Sequence, residues 1–238
     1  MFDQYPKIRQ PLPKEYLAIY EEHIKKNRDG ETSVTSISQR LEKWLHKKVA
    51  EGSAPDLTTL EIGAGTLNQL QYESVSESYD IIEPFKALYE NSSLITQIGN
   101  IYNLIEDVPL TNRYDRITSC AVFEHVENLP YVVGKSGLLL NDNGQLRVAV
   151  PSEGGAFWKI GYTLTTGIEF RIKRKLNYSV IMKYEHINTV DEIESVIKWF
   201  YKDVSVKRFG LGKHFSFYTF FAAQNPDIER CNGYLKSQ

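Results

Sequence analysis

Cysteine is scarce in this chain, with two in 238 residues. Cys120 and Cys231 form none of the paired spacings of a zinc site, and two thiols are too few for a disulfide framework. Cys120 stands in an apolar, strand-like run and reads as a buried thiol. Neither sign of charge is in excess: 28 Lys and Arg against 30 Asp and Glu leave a formal net charge of −2. That excludes the broad basic face of a general nucleic-acid binder. No apolar run approaches the roughly 20 residues needed to cross a bilayer. The opening Met1-Phe2-Asp3-Gln4-Tyr5-Pro6 has neither the basic nor the apolar region of a secretory signal. Internal repeats and long linkers are also missing. These absences point to one domain, residues 1–238, in a reducing cytoplasm. A hydrophobic fraction of 42% is enough to build its core.

The densest information lies in residues 58–68, Thr-Thr-Leu-Glu-Ile-Gly-Ala-Gly-Thr-Leu-Asn. A short β-prone run carrying Glu61 meets Gly63-Ala64-Gly65, and a helix-like segment follows. Glycine takes positive φ at no steric cost and lets backbone approach a ligand. A second β-prone run, Tyr79-Asp-Ile-Ile-Glu83, ends on an acid twenty positions after Gly63. In a doubly wound sheet an acid there accepts hydrogen bonds from ribose hydroxyls, so an adenosine-bearing cofactor is expected. The dinucleotide fingerprint wants a third glycine five positions after the first. Position 68 is Asn, which argues against a pyrophosphate ligand and an NAD-type oxidoreductase.

The rest of the chain alternates. A helix is expected over 13–28 (Leu17, Tyr20, Ile24) and another over 34–51 (Ile37, Leu41, Trp44, Leu45, Val49). Strands follow at about 79–83, 94–98, 116–122 and 145–150, with helices over 84–92 and 127–138. Such alternation predicts a mostly parallel sheet with helices on both faces. After residues 153–185, rich in aromatics and bases, a helix over 189–201 is capped by Thr189 or Asn188. Two strands, Val204–Phe209 and Phe215–Ala222, are joined by a loop too short for a crossover and must be antiparallel.

Leu-Glu-Ile-Gly-Ala-Gly-Thr resembles the first motif of class I S-adenosylmethionine-dependent methyltransferases. Phe123-Glu-His-Val-Glu-Asn-Leu129 resembles the Glu-His-Val stretch after strand four in small-molecule members. The resemblance implies an α/β, Rossmann-like three-layer sandwich with a seven-stranded, mostly parallel sheet and an antiparallel terminal strand. Residues 1–52 would be N-terminal helices, 58–152 the cofactor core, 153–188 an acceptor-side insertion, and 189–225 the last helix and strand pair. It implies S-adenosylmethionine as cofactor, with Gly63, Ala64 and Gly65 beneath the methionine and ribose. Glu61 would organise that region, and Glu83 followed by Pro84 would bind the ribose. Asn100 and Ile101 would meet the adenine, and Cys120 would stand at the end of strand four.

On the acceptor side the resemblance points to Glu124, His125 and His186. His125 is a candidate base or substrate orienter; otherwise Glu124 caps the next helix and His125 packs beneath it. His186 faces the acceptor, or packs beside a cap at Asn188. In ubiquinone-pathway O-methyltransferases the Glu-His pair, with an acid three residues earlier, looks like a divalent metal site. That position is Ala121 here, so no metal is expected. Tyr16, Tyr20 and His23 are expected to close over the cofactor. Lys159, Arg171, Lys173, Arg174, Lys175 and Lys183 outnumber the acids of their segment. They suggest an anionic small-molecule or glycan acceptor, such as a phosphate-linked sugar. The expected activity is methyl transfer to O or N. The alternatives are a catalytically silent cofactor-binding module and, less favoured, an NAD-type oxidoreductase. The acceptor and the oligomeric state are not legible.

Overall fold

A computed structural model of the chain describes residues 2–17, 36–75, 78–152, 178–213 and 215–238. Its strands are β1 (Thr59–Ile62), β2 (Tyr79–Ile82), β3 (Ile101–Tyr102), β4 (Tyr114–Cys120), β5 (Leu140–Pro151), β6 (Tyr201–Gly210) and β7 (Ser216–Pro226). The helices named here are α1 (Ser36–Ala50), α2 (Leu129–Leu139), α3 (Tyr178–Glu185), α4 (Val190–Phe200) and α5 (Ile228–Lys236). The strands form one seven-stranded sheet in the order β3-β2-β1-β4-β5-β7-β6. Pairing is parallel from β3 to β5, and β7 runs antiparallel to both β5 and β6. The expected α/β sandwich is therefore the observed one, with the reversed strand one place in from the edge.

Alternation along each strand divides the core into two layers. Leu60 and Ile62 of β1, Ile117 of β4, and Leu146, Val148 and Val150 of β5 face one side. There they meet Val133 of α2 and Ile193, Val196, Ile197 and Phe200 of α4. On the other face Ala149 and Phe220 pack under Leu45 and Val49 of α1. Two buried arginines fasten α1 at its C-terminal end. Arg116 Nη2 and Arg147 Nε both donate to the Val49 carbonyl, at 2.9 and 2.8 Å. A cation suits the carbonyl end of a helix. The anchorage holds the rest of α1, including Glu42 and His46, beside the carboxyl ends of the strands.

Four local expectations change. The run 94–98 is not a strand: Ser92 accepts from the Leu94 N–H and starts a 3-10 turn over Ser93–Gln97. The third strand is Ile101–Tyr102, paired to Ile81 and Ile82. The helix expected over 84–92 contracts to a 3-10 turn at Lys86–Leu88. Of the helix expected over 13–28, residues 14–17 are described and are helical, but Tyr16 is buried and Leu17 is 42% exposed. Tyr16, rather than Leu17, faces inward and packs on Leu12 and Ile181. Tyr20, His23 and Ile24, with residues 153–177 of the insertion, lie outside the described residues. The terminal α5, capped by Asp227, was not anticipated.

Candidate active site

The strand order reverses between β1 and β4, since β2 and β3 lie to one side and β5 to the other. Ligands of open α/β sheets bind beyond the carboxyl ends at such a switch point. Gly63 and Gly65 follow β1 with φ of 73° and 52°, conformations that glycine adopts freely. A Cβ built on Gly63 would stand 2.4 Å from Val122 Cγ2, so the turn after β1 presses directly on the turn after β4. A Cβ on Gly65 would meet nothing within 4 Å, because it faces open space.

That space is a cavity of about 520 Å³. Glu61, Gly63, Ala64 and Gly65 line it from β1, and Cys120 and Ala121 from β4. Glu124, His125 and His186 line its far side. Glu83 does not itself line the cavity but is buried and tied to a residue that does: its Oε2 accepts from Gly65 N at 2.8 Å and its Oε1 from Phe85 N at 2.9 Å. Each carboxylate oxygen keeps a further lone pair for a hydroxyl donor. Pro84 is exposed beside it. A larger depression of about 600 Å³, near Arg113, Asp115 and Gln145, opens at the amino ends of β4 and β5. A doubly wound sheet does not hold its ligand at that end.

Two sequence candidates fall elsewhere. Asn100 lies at the start of β3: its N–H and Nδ2 both donate to buried Asp80, at 2.7 and 3.2 Å. It lines a separate cleft with Thr58 and Tyr114. Ile101 is 41% exposed on the edge strand. The shift of the third strand from 94–98 to 101–102 moves both residues to its beginning, away from the end where adenine was expected.

Glu61 is 2% exposed and accepts a hydrogen bond from Tyr79 Oη at 2.9 Å. Burial raises its pKa to about 8; the Tyr79 hydroxyl opposes the shift, and Glu73 and Glu83 add to it. Burial likewise holds the Cys120 thiol well above its ordinary pKa. The His125 pKa is lowered to about 4 by burial and by His186, against a hydrogen bond to Glu185.

The loops bearing Glu124, His125 and His186 are joined by backbone. Ile187 N and Asn188 N donate to the Glu124 carbonyl at 2.9 and 3.0 Å. Asn188 is not the helix cap, which is Thr189 in a capping box with Glu192. It is a fully buried staple whose Nδ2 donates to the carbonyls of Phe123 and Val126, at 2.9 and 2.7 Å. The N-terminal segment binds both loops from outside. Tyr5 Oη donates to Asn188 Oδ1 at 3.1 Å, Lys7 Nζ to the Ile187 carbonyl at 2.8 Å, and Arg9 Nη2 to the His125 carbonyl at 2.6 Å. Glu124 sits in a 3-10 turn, and α2 is capped instead by Asn128.

Several lining residues escaped the sequence reading. Glu42 and His46 reach the cavity from α1, and Tyr218 from β7. His46 Nδ1 donates to Gln69 Oε1 at 2.8 Å, while Gln69 Nε2 donates to Glu73 Oε1 at 2.7 Å. A Glu and a His four apart on a helix are a weak signal, and nothing local places that helix over the glycines.

No protein-family model and no curated protein matches the chain. Solved structures do match in fold. The plantazolicin methyltransferase BpumL, in complex with SAH, shares 14% identity and a TM-score of 0.57, over 89% of this chain and 92% of its own. A possible histamine N-methyltransferase from Thermotoga maritima shares 14% and 0.56, over 89% and 99%. The N-methyltransferase NodS from Bradyrhizobium japonicum, also with SAH, shares 10% and 0.59, over 90% and 100%. The fold is that of S-adenosylmethionine-dependent methyltransferases.

Proposed function

We propose that this chain is an S-adenosylmethionine-dependent methyltransferase acting on a small molecule or glycan. One observation carries the reading. The glycine turn after β1, with Glu83 bonded to Gly65, opens into the same cavity as Glu124, His125 and His186. Gly63, Ala64, Gly65 and Glu61 would bind the cofactor's methionine and ribose, with Glu83 on the ribose hydroxyls and Cys120 behind. The fold likeness to methyltransferases holding SAH supports that choice.

The reaction is an in-line displacement: an acceptor oxygen or nitrogen attacks the methyl carbon, the carbon–sulfur bond breaks, and its electron pair stays on sulfur. The methyl group is already activated by positive sulfur. The protein therefore mainly aligns the three atoms and excludes water. Glu124, His125 and His186 form the acceptor-side group. The described cavity wall carries Glu42, Glu61 and Glu124 and no Lys or Arg. Arg171, Lys173 and Arg174, which lie outside the described residues, are the bases we propose to pair with an anionic part of the acceptor. Substituting those three together raises the acceptor KM and leaves cofactor affinity unchanged.

Calorimetric titration with S-adenosylhomocysteine tests the cofactor. Saturable binding, lost in Gly65→Ala, is expected; NAD binding in its place would refute the reading. Transfer from labelled S-adenosylmethionine across hydroxyl and amine acceptors tests the activity. Binding without transfer to any acceptor would make the chain a silent cofactor-binding module.

A further inference from the structure

We propose that Glu124, His125 and His186 bind one divalent transition-metal ion on the acceptor side of the cavity. One ligand atom from each of the three lies within 4.8 Å of the others. The missing acid at Ala121 argued against a metal, yet the fold supplies a third donor from a loop sixty-one positions beyond His125. The orientation of His125 supports ligation. Its Nδ1 is 2.8 Å from the Glu185 carbonyl oxygen. A carbonyl only accepts, so the ring proton sits on Nδ1 and Nε2 presents a lone pair. Nε2 is the atom 3.8 Å from Glu124 Oε1. Metal-binding imidazoles are commonly held this way, the second nitrogen donating to a carbonyl outside the site.

The donors are also held together in advance. Asn188 and the backbone of Ile187 join the two ligand-bearing loops, and Lys7 and Arg9 bind them from outside. The rings of His125 and His186 meet edge to face, 4.8 Å between centroids. Ligand bonds of about 2.1 Å place two donors at most about 4.2 Å apart. The widest separation must therefore shrink by at least about 0.6 Å on binding, a movement within reach of side-chain rotation. Two imidazoles and a carboxylate suit manganese, iron, cobalt, nickel or zinc better than magnesium or calcium. Three protein ligands leave positions open for an acceptor oxygen.

Use of the ion in methyl transfer rests on the proposed function; its ligation does not. A hydroxyl bound at an open position loses its proton to solvent. Its oxygen then bonds to the methyl carbon as the carbon–sulfur bond breaks toward sulfur. Lowering the acceptor's pKa is the contribution of the ion.

The test is calorimetric titration of the EDTA-treated full chain with Co²⁺ and Zn²⁺, alongside S-adenosylhomocysteine binding by the same samples. One equivalent of metal is expected, weakened by more than about tenfold in His186→Ala and in Glu124→Gln while S-adenosylhomocysteine still binds. X-ray absorption of the zinc-loaded wild type should show two imidazole ligands, a readout that needs no variant. No stoichiometric metal, full affinity in His186→Ala, or fewer than two imidazoles overturns the site. Failure to bind S-adenosylhomocysteine would instead overturn the methyltransferase reading and leave the metal result standing.

Discussion

Glu61 is a buried acid that the folded chain keeps protonated near neutral pH, and replacing it with Gln should show this directly. Its pKa is raised to about 8 from an ordinary 4.5, mainly by burial. Between those values the unfolded chain has an ionised carboxylate and the folded chain holds the proton. The native state therefore binds more protons, so this group's contribution to stability falls as pH rises from about 4.5 to about 8, then levels. The slope is about 1.4 kcal/mol per pH unit. Glutamine keeps an oxygen for the Tyr79 hydroxyl but cannot ionise. Relative to Glu61→Gln, the wild type should lose about 2 kcal/mol between about pH 6 and about pH 8. Urea denaturation of both proteins across that range gives the difference, in which the other titrating groups cancel. A cationic ligand beside Glu61 would favour the carboxylate. Binding of S-adenosylmethionine at neutral pH should then release a proton in the wild type and not in the variant. Calorimetry in two buffers of different ionisation heat counts that proton. Parallel stability profiles for the two proteins would refute the raised pKa.

The two glycines of the turn separate packing from binding. Gly63→Ala drives a methyl group into Val122 at positive φ and should cost about 2–3 kcal/mol in denaturation experiments. Gly65→Ala faces open space and should cost only about 1 kcal/mol of stability. Its larger effect is on cofactor affinity, read by S-adenosylhomocysteine titration, because the new methyl group enters the cavity. Asn188→Ala takes the side-chain partner from the Val126 carbonyl and the Tyr5 hydroxyl, and leaves the Phe123 carbonyl only its long 3.4 Å bond from Val126 N. It should cost about 3 kcal/mol by urea unfolding and broaden the His125 and His186 ring signals in NMR spectra.

The elements that read well in the sequence carry their own local instructions. β1 and β2 combine β-prone residues with a glycine turn or a terminal acid. The loop between β6 and β7 forbids a crossover, and Thr189 with Glu192 writes a capping box. β3 did not read well because Leu94–Ile98 has the composition of a strand, but Ser92 closes a turn there. The strand that forms needs only the ladder offered by Ile81 and Ile82. That displacement carried Asn100 and Ile101 with it. The short α5 carries Ile228, Cys231 and Leu235 at i, i+3 and i+7, but a stripe of two turns among polar residues is too brief to announce a helix. The glycine half of the site was legible because it is contiguous. The approach of His186 to Glu124 and His125 depends on backbone bonds across about sixty residues, which no local pattern records.

The N-terminal segment has a consequence for how this cavity is held. Phe2 packs edge to face on Trp199 and Tyr234 and stacks on Phe200. Seven residues later, Arg9 holds the His125 carbonyl. Residues 2–9 leave the ribosome long before those partners exist, and closing so wide a loop is entropically costly until the core has formed. The segment is a clasp whose two ends grip α4 with α5 and the loop of His125, so truncating residues 2–9 should loosen that loop while the sheet and the glycine turn, which it does not touch, keep their protection in hydrogen exchange.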